Sequence, residues 1–127
     1  MRFATLDEAS LSEQVNRFYG RARLDPLLGP VFERAIHDWP PHIAVITAFW
    51  VQALLGGAGY PGNPYAKHLD KGIEPAMFDR WLTLWSETAN ELFDDVPAER
   101  LVARAELIGR SLKSGLFLGS GPIWPEV

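Results

Sequence analysis

Three histidines, His37, His42 and His68, are the first candidates for chemistry in this chain. A neutral imidazole ligates metals and moves protons near neutral pH. Cysteine is absent, which excludes thiolate metal sites, iron–sulfur ligation, disulfides and thiol nucleophiles. A zinc site using all three histidines fails on spacing. His37 and His42 lie five apart with Pro40 and Pro41 between them, so they do not stack on one helical face. Gly56, Gly57 and Gly59 follow a helical stretch, whereas a dinucleotide loop needs a strand before it and a helix after it. There is no Gly-x-Ser-x-Gly elbow, and the carboxylates Asp94-Asp95 and Glu87-Glu91 fall on faces that should be solvated. What remains is His42 and His68, together with Tyr19 and Trp81, whose O–H and N–H groups need partners when buried. Taken singly, each is more often a core or surface residue than a working one.

The elements that must position them are helical. Leu11, Val15, Phe18 and Ala22 recur at helical spacing and predict a helix from about Ser10 to Arg23, with Tyr19 beside Phe18 on its inner flank. Asp7 or Ser10 can cap it, and Asp25-Pro26 ends it, because the residue before proline leaves the helical region. Leu27 to Ile36 reads as one or two short turns carrying Phe32 inward. Trp39-Pro40-Pro41 starts a helix to about Leu55, since early helical N–H groups lack partners anyway. Along it His42, Ile46, Phe49, Trp50 and Ala53 form one stripe, which puts His42 on the buried face. Gly56 to Pro64 holds four glycines and two prolines in nine residues and must be loop. Tyr65 to Leu69 is then a single turn bearing His68. Pro75 opens a helix whose apolar face is Phe78, Trp81, Leu82, Trp85, Ala89, Leu92 and Phe93. Asp94-Asp95-Val96-Pro97 breaks the chain. A last helix to about Leu118 buries Leu101, Ala105, Ile108, Leu112 and Leu116, with Glu99, Arg100, Arg104, Glu106, Arg110 and Lys113 mostly outside. Residues 119–127 form a loose tail.

No strand-type alternation persists, so the class is all-α, and 127 residues suit a single domain spanning 1–127. The net charge is −4 without a basic cluster, which argues against nucleic acid. No apolar run approaches the roughly 20 residues of a membrane span, and the N-terminus lacks a signal peptide's apolar middle; the expected location is cytoplasmic. Five tryptophans, three tyrosines and seven phenylalanines are many for this length, as for a core or pocket facing something flat and apolar.

These residues, taken together, resemble a known family. Phe18-Tyr19, the Leu28-Gly29-Pro30-Val31-Phe32 turn, His42 with Ile46 and Phe49-Trp50, Lys67-His68-Leu69-Asp70 and Trp81 are similar to the corresponding segments of group III truncated haemoglobins, over nearly the whole chain. The double-glycine loop of the other two groups is missing between the first two helices, as the third group implies.

The resemblance implies a two-over-two helical sandwich around a b-type haem, with His68 as the iron ligand. Tyr19, His42 and Trp81 would then meet a bound ligand from the opposite side, and Phe32, Ile46, Phe49 and Trp50 would wall the cofactor. It further implies O2, NO or a similar small molecule as ligand, an external reductase for turnover, and a monomer or weak dimer. Lys67 and Tyr65 are the nearest partners for the propionates. Three donors around one small ligand suit redox chemistry better than ready release, which favours nitric oxide dioxygenation first and peroxidase-like turnover second. Oxygen storage, delivery or sensing is the alternative. The rival from outside haem biology is a cofactor-free interaction module anchored by Trp39, Trp85 and Trp124.

Overall fold

The computed structural model describes residues 2–56 and 74–117, the side chains of 114–117 excepted. The glycine-rich loop past Gly56, the Tyr65–Asp70 segment with His68 and Lys67, and the tail with Trp124 lie outside the described residues. The remainder forms five helices: α1 (Glu8–Ala22), α2 (Gly29–Ala35), α3 (Trp39–Leu55), α4 (Pro75–Leu92) and α5 (Asp95–Phe117). Among the described residues the only extended pairing is an isolated bridge between Phe3 and Phe93. The all-α expectation holds. No helix among them is long and apolar enough to cross a membrane.

Local signals set the helix ends. Asp7 and Ser10 both cap α1, in one reciprocal box: Ser10 N donates to Asp7 Oδ1 at 2.8 Å and Asp7 N donates to Ser10 Oγ at 2.9 Å. The helix therefore begins at Glu8, two residues before Ser10, and the cap stabilises it by about 1 kcal/mol. Prolines sit in the first turns of α2, α3 and α4, where no N–H is needed. Past the end of α3, Gly56 takes φ +87, a left-handed conformation that favours glycine. Arg100 of α5 donates to the carbonyl of Leu54, one of α3's last unpaired acceptors.

The α1–α2 corner is tight. A Cβ on Gly29 would lie 2.7 Å from the carbonyl oxygen of Arg23, so only glycine lets α2 start so close to the end of α1. Gly29 N donates to Asp25 O at 2.8 Å across the same corner.

In the packing, α1 lies against α3 and α4 lies against α5, while α1–α4 and α3–α5 contacts close the four into a sandwich. Trp85, 1% exposed, is where all four meet. Phe18 of α1 meets its ring edge-on at 5.4 Å, and Trp50 of α3 stacks on it at 4.4 Å. Its indole N–H donates to Leu101 O of α5, and its own carbonyl accepts from Gln14 Nε2. Each large side chain so buried contributes about 1.5–3 kcal/mol. Trp85 therefore does not serve as the surface anchor that an interaction module would need.

Candidate functional site

Tyr19 sits in the last turn of α1, 8% exposed, inside an aromatic cage. Phe18, Phe32, Trp39 and His42 all approach its ring edge-on, with centroids 5.1 to 5.4 Å away. Edge-to-face contacts at these distances are favourable, because ring edges are positive and ring faces negative. The cage draws on α1, α2 and the first turn of α3, so it exists only once the corner has folded. His42, half-buried on α3, brings Nε2 to 3.2 Å from the Tyr19 hydroxyl. Only one proton can lie between the two atoms. If Nε2 carries it, the imidazole donates to the phenol oxygen, and the phenol proton is directed at another acceptor. If Nδ1 carries the imidazole proton, the phenol donates to Nε2 instead.

Trp39 closes the cage from outside. Its half-buried ring carries the Arg23 guanidinium over its face at 4.2 Å, and Arg23 Nε also reaches Glu33 at 3.4 Å. Sequence reasoning cast Trp39 as a helix start or a surface anchor. The structure places it against Tyr19 and His42.

Trp81 belongs to a second aromatic group. It lies half-buried on α4, nearly parallel to Trp85 at 6.3 Å and 16°, extending the stack that Trp50 begins. Phe49 is 8% exposed and edge-on to Trp50, while Ile46 and Phe32 are half-buried against the core. Tyr19, His42 and Phe32 are thus gathered in one cluster and Trp50, Phe49 and Trp81 in the other. Phe18, touching both Tyr19 and Trp85, joins the two.

Among the buried polar residues, Gln14 and Asp25 do work that sequence reasoning missed. Gln14 is wholly buried and holds Trp85 O, but being polar it is invisible to a search for apolar periodicity. Asp25, 6% exposed, is more than a helix terminator. Its Oδ2 accepts from the N–H groups of Leu27 and Leu28, and its Oδ1 accepts from Arg80 Nε at 2.7 Å. Burial pushes its pKa up, but the Leu28 N–H, Arg80 and the Leu27 N–H outweigh that and leave it below the usual carboxylate value. An Asp at the first position of a turn was the available signal.

The chain resembles proteins of known structure. It is 33% identical over 126 residues to the group 3 truncated hemoglobin ctb of Campylobacter jejuni subsp. jejuni, covering 95% of this chain and 99% of that protein. The crystal structure of a group III truncated hemoglobin from Campylobacter jejuni matches it with a TM-score of 0.88 over 95% of this chain and 99% of that one. The chain belongs to the group III truncated haemoglobins. No family model matches it. The fold is thus the two-over-two globin sandwich, and as a globin the protein is a haem protein.

The residues described here fit such a group. α3 is the most apolar of the helices, yet it buries only Phe49 and Trp50 fully and leaves Val45, Ile46, Ala53 and Leu54 half-buried. A helix that apolar needs a covered face. Tyr19 Oη and His42 Nε2, 3.2 Å apart, add a polar pair among these apolar side chains. Among the described residues no cluster of acidic or histidine side chains offers a separate metal site.

Proposed function

We propose that this globin binds O2 at a b-type haem held by His68, and uses it to oxidise nitric oxide to nitrate. Residues 1–127 act as one haem domain. The observation that carries the reading is the contact between Tyr19 and His42 inside a cage of four rings. A polar pair so enclosed is preorganised to meet a small partly charged ligand, and preorganised donors cost little reorganisation at the moment of reaction.

When bound, the haem supplies an iron that takes up a diatomic molecule and alternates between ferrous and ferric states. The chain supplies the rest. With Nε2 protonated, His42 donates to the phenol oxygen and so aims the Tyr19 proton at the ligand. Trp81 offers its indole N–H, a donor only. Phe32, Ile46 and Phe49 form the apolar wall that excludes water, and Trp50, stacked on Trp85, supports that wall from the core. Each donor bond to a partly charged acceptor is worth about 1–3 kcal/mol, which favours retention of ligand over ready release. With the haem bound, the net chemistry would combine dioxygen, nitric oxide and one electron into nitrate. A second turnover needs that electron back from an external reductase.

Two measurements test this. The purified protein should show a Soret band that His68→Ala abolishes and added imidazole restores; a colourless folded wild type would refute the haem ligation. Mixing the oxygenated ferrous protein with nitric oxide should then give stoichiometric nitrate. Fast oxygen release with incomplete nitrate would point to carriage instead.

A further inference from the structure

We propose that Arg80 is a positioning residue for the pocket: through its bond to Asp25 it sets where Trp81 stands relative to Tyr19. The inference rests on the reading of Tyr19 and Trp81 as donors to one ligand. Tyr19 is placed by the α1–α2 corner, because α2 presses Phe32 against its ring. Trp81 is placed by α4. The two are neighbours in no local sense, so something must hold corner and helix in register.

Four contacts between α1 or its corner and α4 bracket Trp81. On its C-terminal side, Gln14 holds Trp85 O one turn away, and Arg21 reaches Thr88 at 3.2 Å and Glu91 further on. On its N-terminal side stands Arg80, bonded to a carboxylate that is itself fixed by two backbone N–H groups. The Asp25 side chain is 3% exposed and holds the bond fixed at that end, while the Arg80 side chain is 43% exposed. Arg80 Nε comes from a planar guanidinium whose donor direction is set by its stem, unlike a freely rotating ammonium.

A second observation says why Trp81 needs such help. Across from its ring, α5 presents Gly109, which leaves the space that a Cβ would fill in ordinary van der Waals contact, 3.6 Å from Cζ3. No side chain at that position buttresses the indole. Among the described residues its ring partner is the parallel face of Trp85 at 6.3 Å. The place of the indole N–H therefore follows the backbone of α4, and the backbone there is pinned by Arg80.

The test uses Arg80→Met, which keeps an apolar stem and loses the donor, alone and combined with Trp81→Phe. Oxygen release from the ferrous haem-loaded protein should speed by about 3- to 10-fold in Arg80→Met, since one donor bond is misaligned rather than deleted. In the Trp81→Phe background the same change should add nothing. The C–O stretch of the CO-saturated protein should shift in the first case only. A readout without haem accompanies these: the near-ultraviolet circular dichroism of the apo-protein, where the Trp81 contribution is defined by difference from Trp81→Phe. That band should change in Arg80→Met while the far-ultraviolet spectrum does not, and Arg80→Lys should restore part of it. Equal acceleration in both backgrounds, or an unchanged near-ultraviolet band, overturns the proposal. If Trp81→Phe itself leaves oxygen release unchanged, the donor reading of Trp81 is wrong, and the apo-protein band alone decides whether Arg80 positions the ring. If Arg80→Met does not fold, Arg80→Lys carries the same measurements, with a wild-type band overturning it.

Discussion

Tyr19→Phe separates ligand stabilisation from packing more cleanly than any other change in this protein. The substitution removes one oxygen atom and leaves the ring inside its cage. Phe18, Phe32, Trp39 and His42 all meet the ring, at 5.1 to 5.4 Å, and a phenyl ring keeps those contacts. What is lost is the hydroxyl, 3.2 Å from His42 Nε2. In the ligand-free state this costs about 1 kcal/mol at most, because His42 is half-buried and its nitrogen can turn to water. In the ligand-bound state a charge-assisted donor bond of about 1–3 kcal/mol disappears. The loss to His42 is common to both states, so the ligand bond alone converts to an oxygen dissociation rate faster by roughly 5- to 150-fold, at 1.4 kcal/mol per factor of ten. Stopped-flow displacement of oxygen by carbon monoxide measures it, with haem content from the Soret band as control. An unchanged rate would remove Tyr19 from the ligand's surroundings. A loss of haem would make it structural, and either result refutes the argument.

The remaining predictions concern the frame. Asp25 contributes through a pKa lowered in the folded protein, so its stabilisation is complete above the ordinary carboxylate value and is lost as pH falls through the lowered one. Asp25→Asn should cost about 1–3 kcal/mol at neutral pH, and the gap in melting temperature from wild type should close in acid; a constant gap would show that the charge is irrelevant. Gly29→Ala should destabilise by about 1–3 kcal/mol, since its Cβ meets backbone on the far side and nothing flexible can yield. An unaltered thermal midpoint would mean that the corner opens without penalty.

Much of this architecture was legible because its signals are local. Prolines at positions 40, 41 and 75 mark helix starts wherever the chain later packs, and apolar stripes mark inner faces. The inward faces of Tyr19 and His42 could be read this way, but their contact could not, since it depends on how α1 crosses α3. Trp81 and Trp85 share one stripe, one turn apart, and nothing local says which is the hub. That follows from α5, whose Leu101 carbonyl takes the Trp85 N–H and whose Gly109 faces Trp81. Asp25 shows the same limit: Pro26 explains it as a stop, and the partner that makes it a strut lies 55 residues away. His68 lies outside the described residues, and its role as iron ligand is a proposal.

The two proposed donors are held on different terms, and this bears on what the proposed pocket can do. Tyr19 is confined by rings from three helices, and its oxygen has a fixed neighbour in His42. Trp81, half-buried against the core, has one ring partner among the described residues, the parallel Trp85, and follows α4. A ligand that meets the first donor finds it already in place; the second can be withdrawn by a small movement of the helix. For a carrier, such an arrangement would make release depend on α4. For an oxidase of nitric oxide, it would hold the first substrate firmly while the second enters. These demands differ in rate: the carrier needs α4 to move as often as oxygen leaves, while the enzyme needs it to stay through one encounter. The Asp25–Arg80 bond, short and anchored in a buried carboxylate, favours the helix that stays.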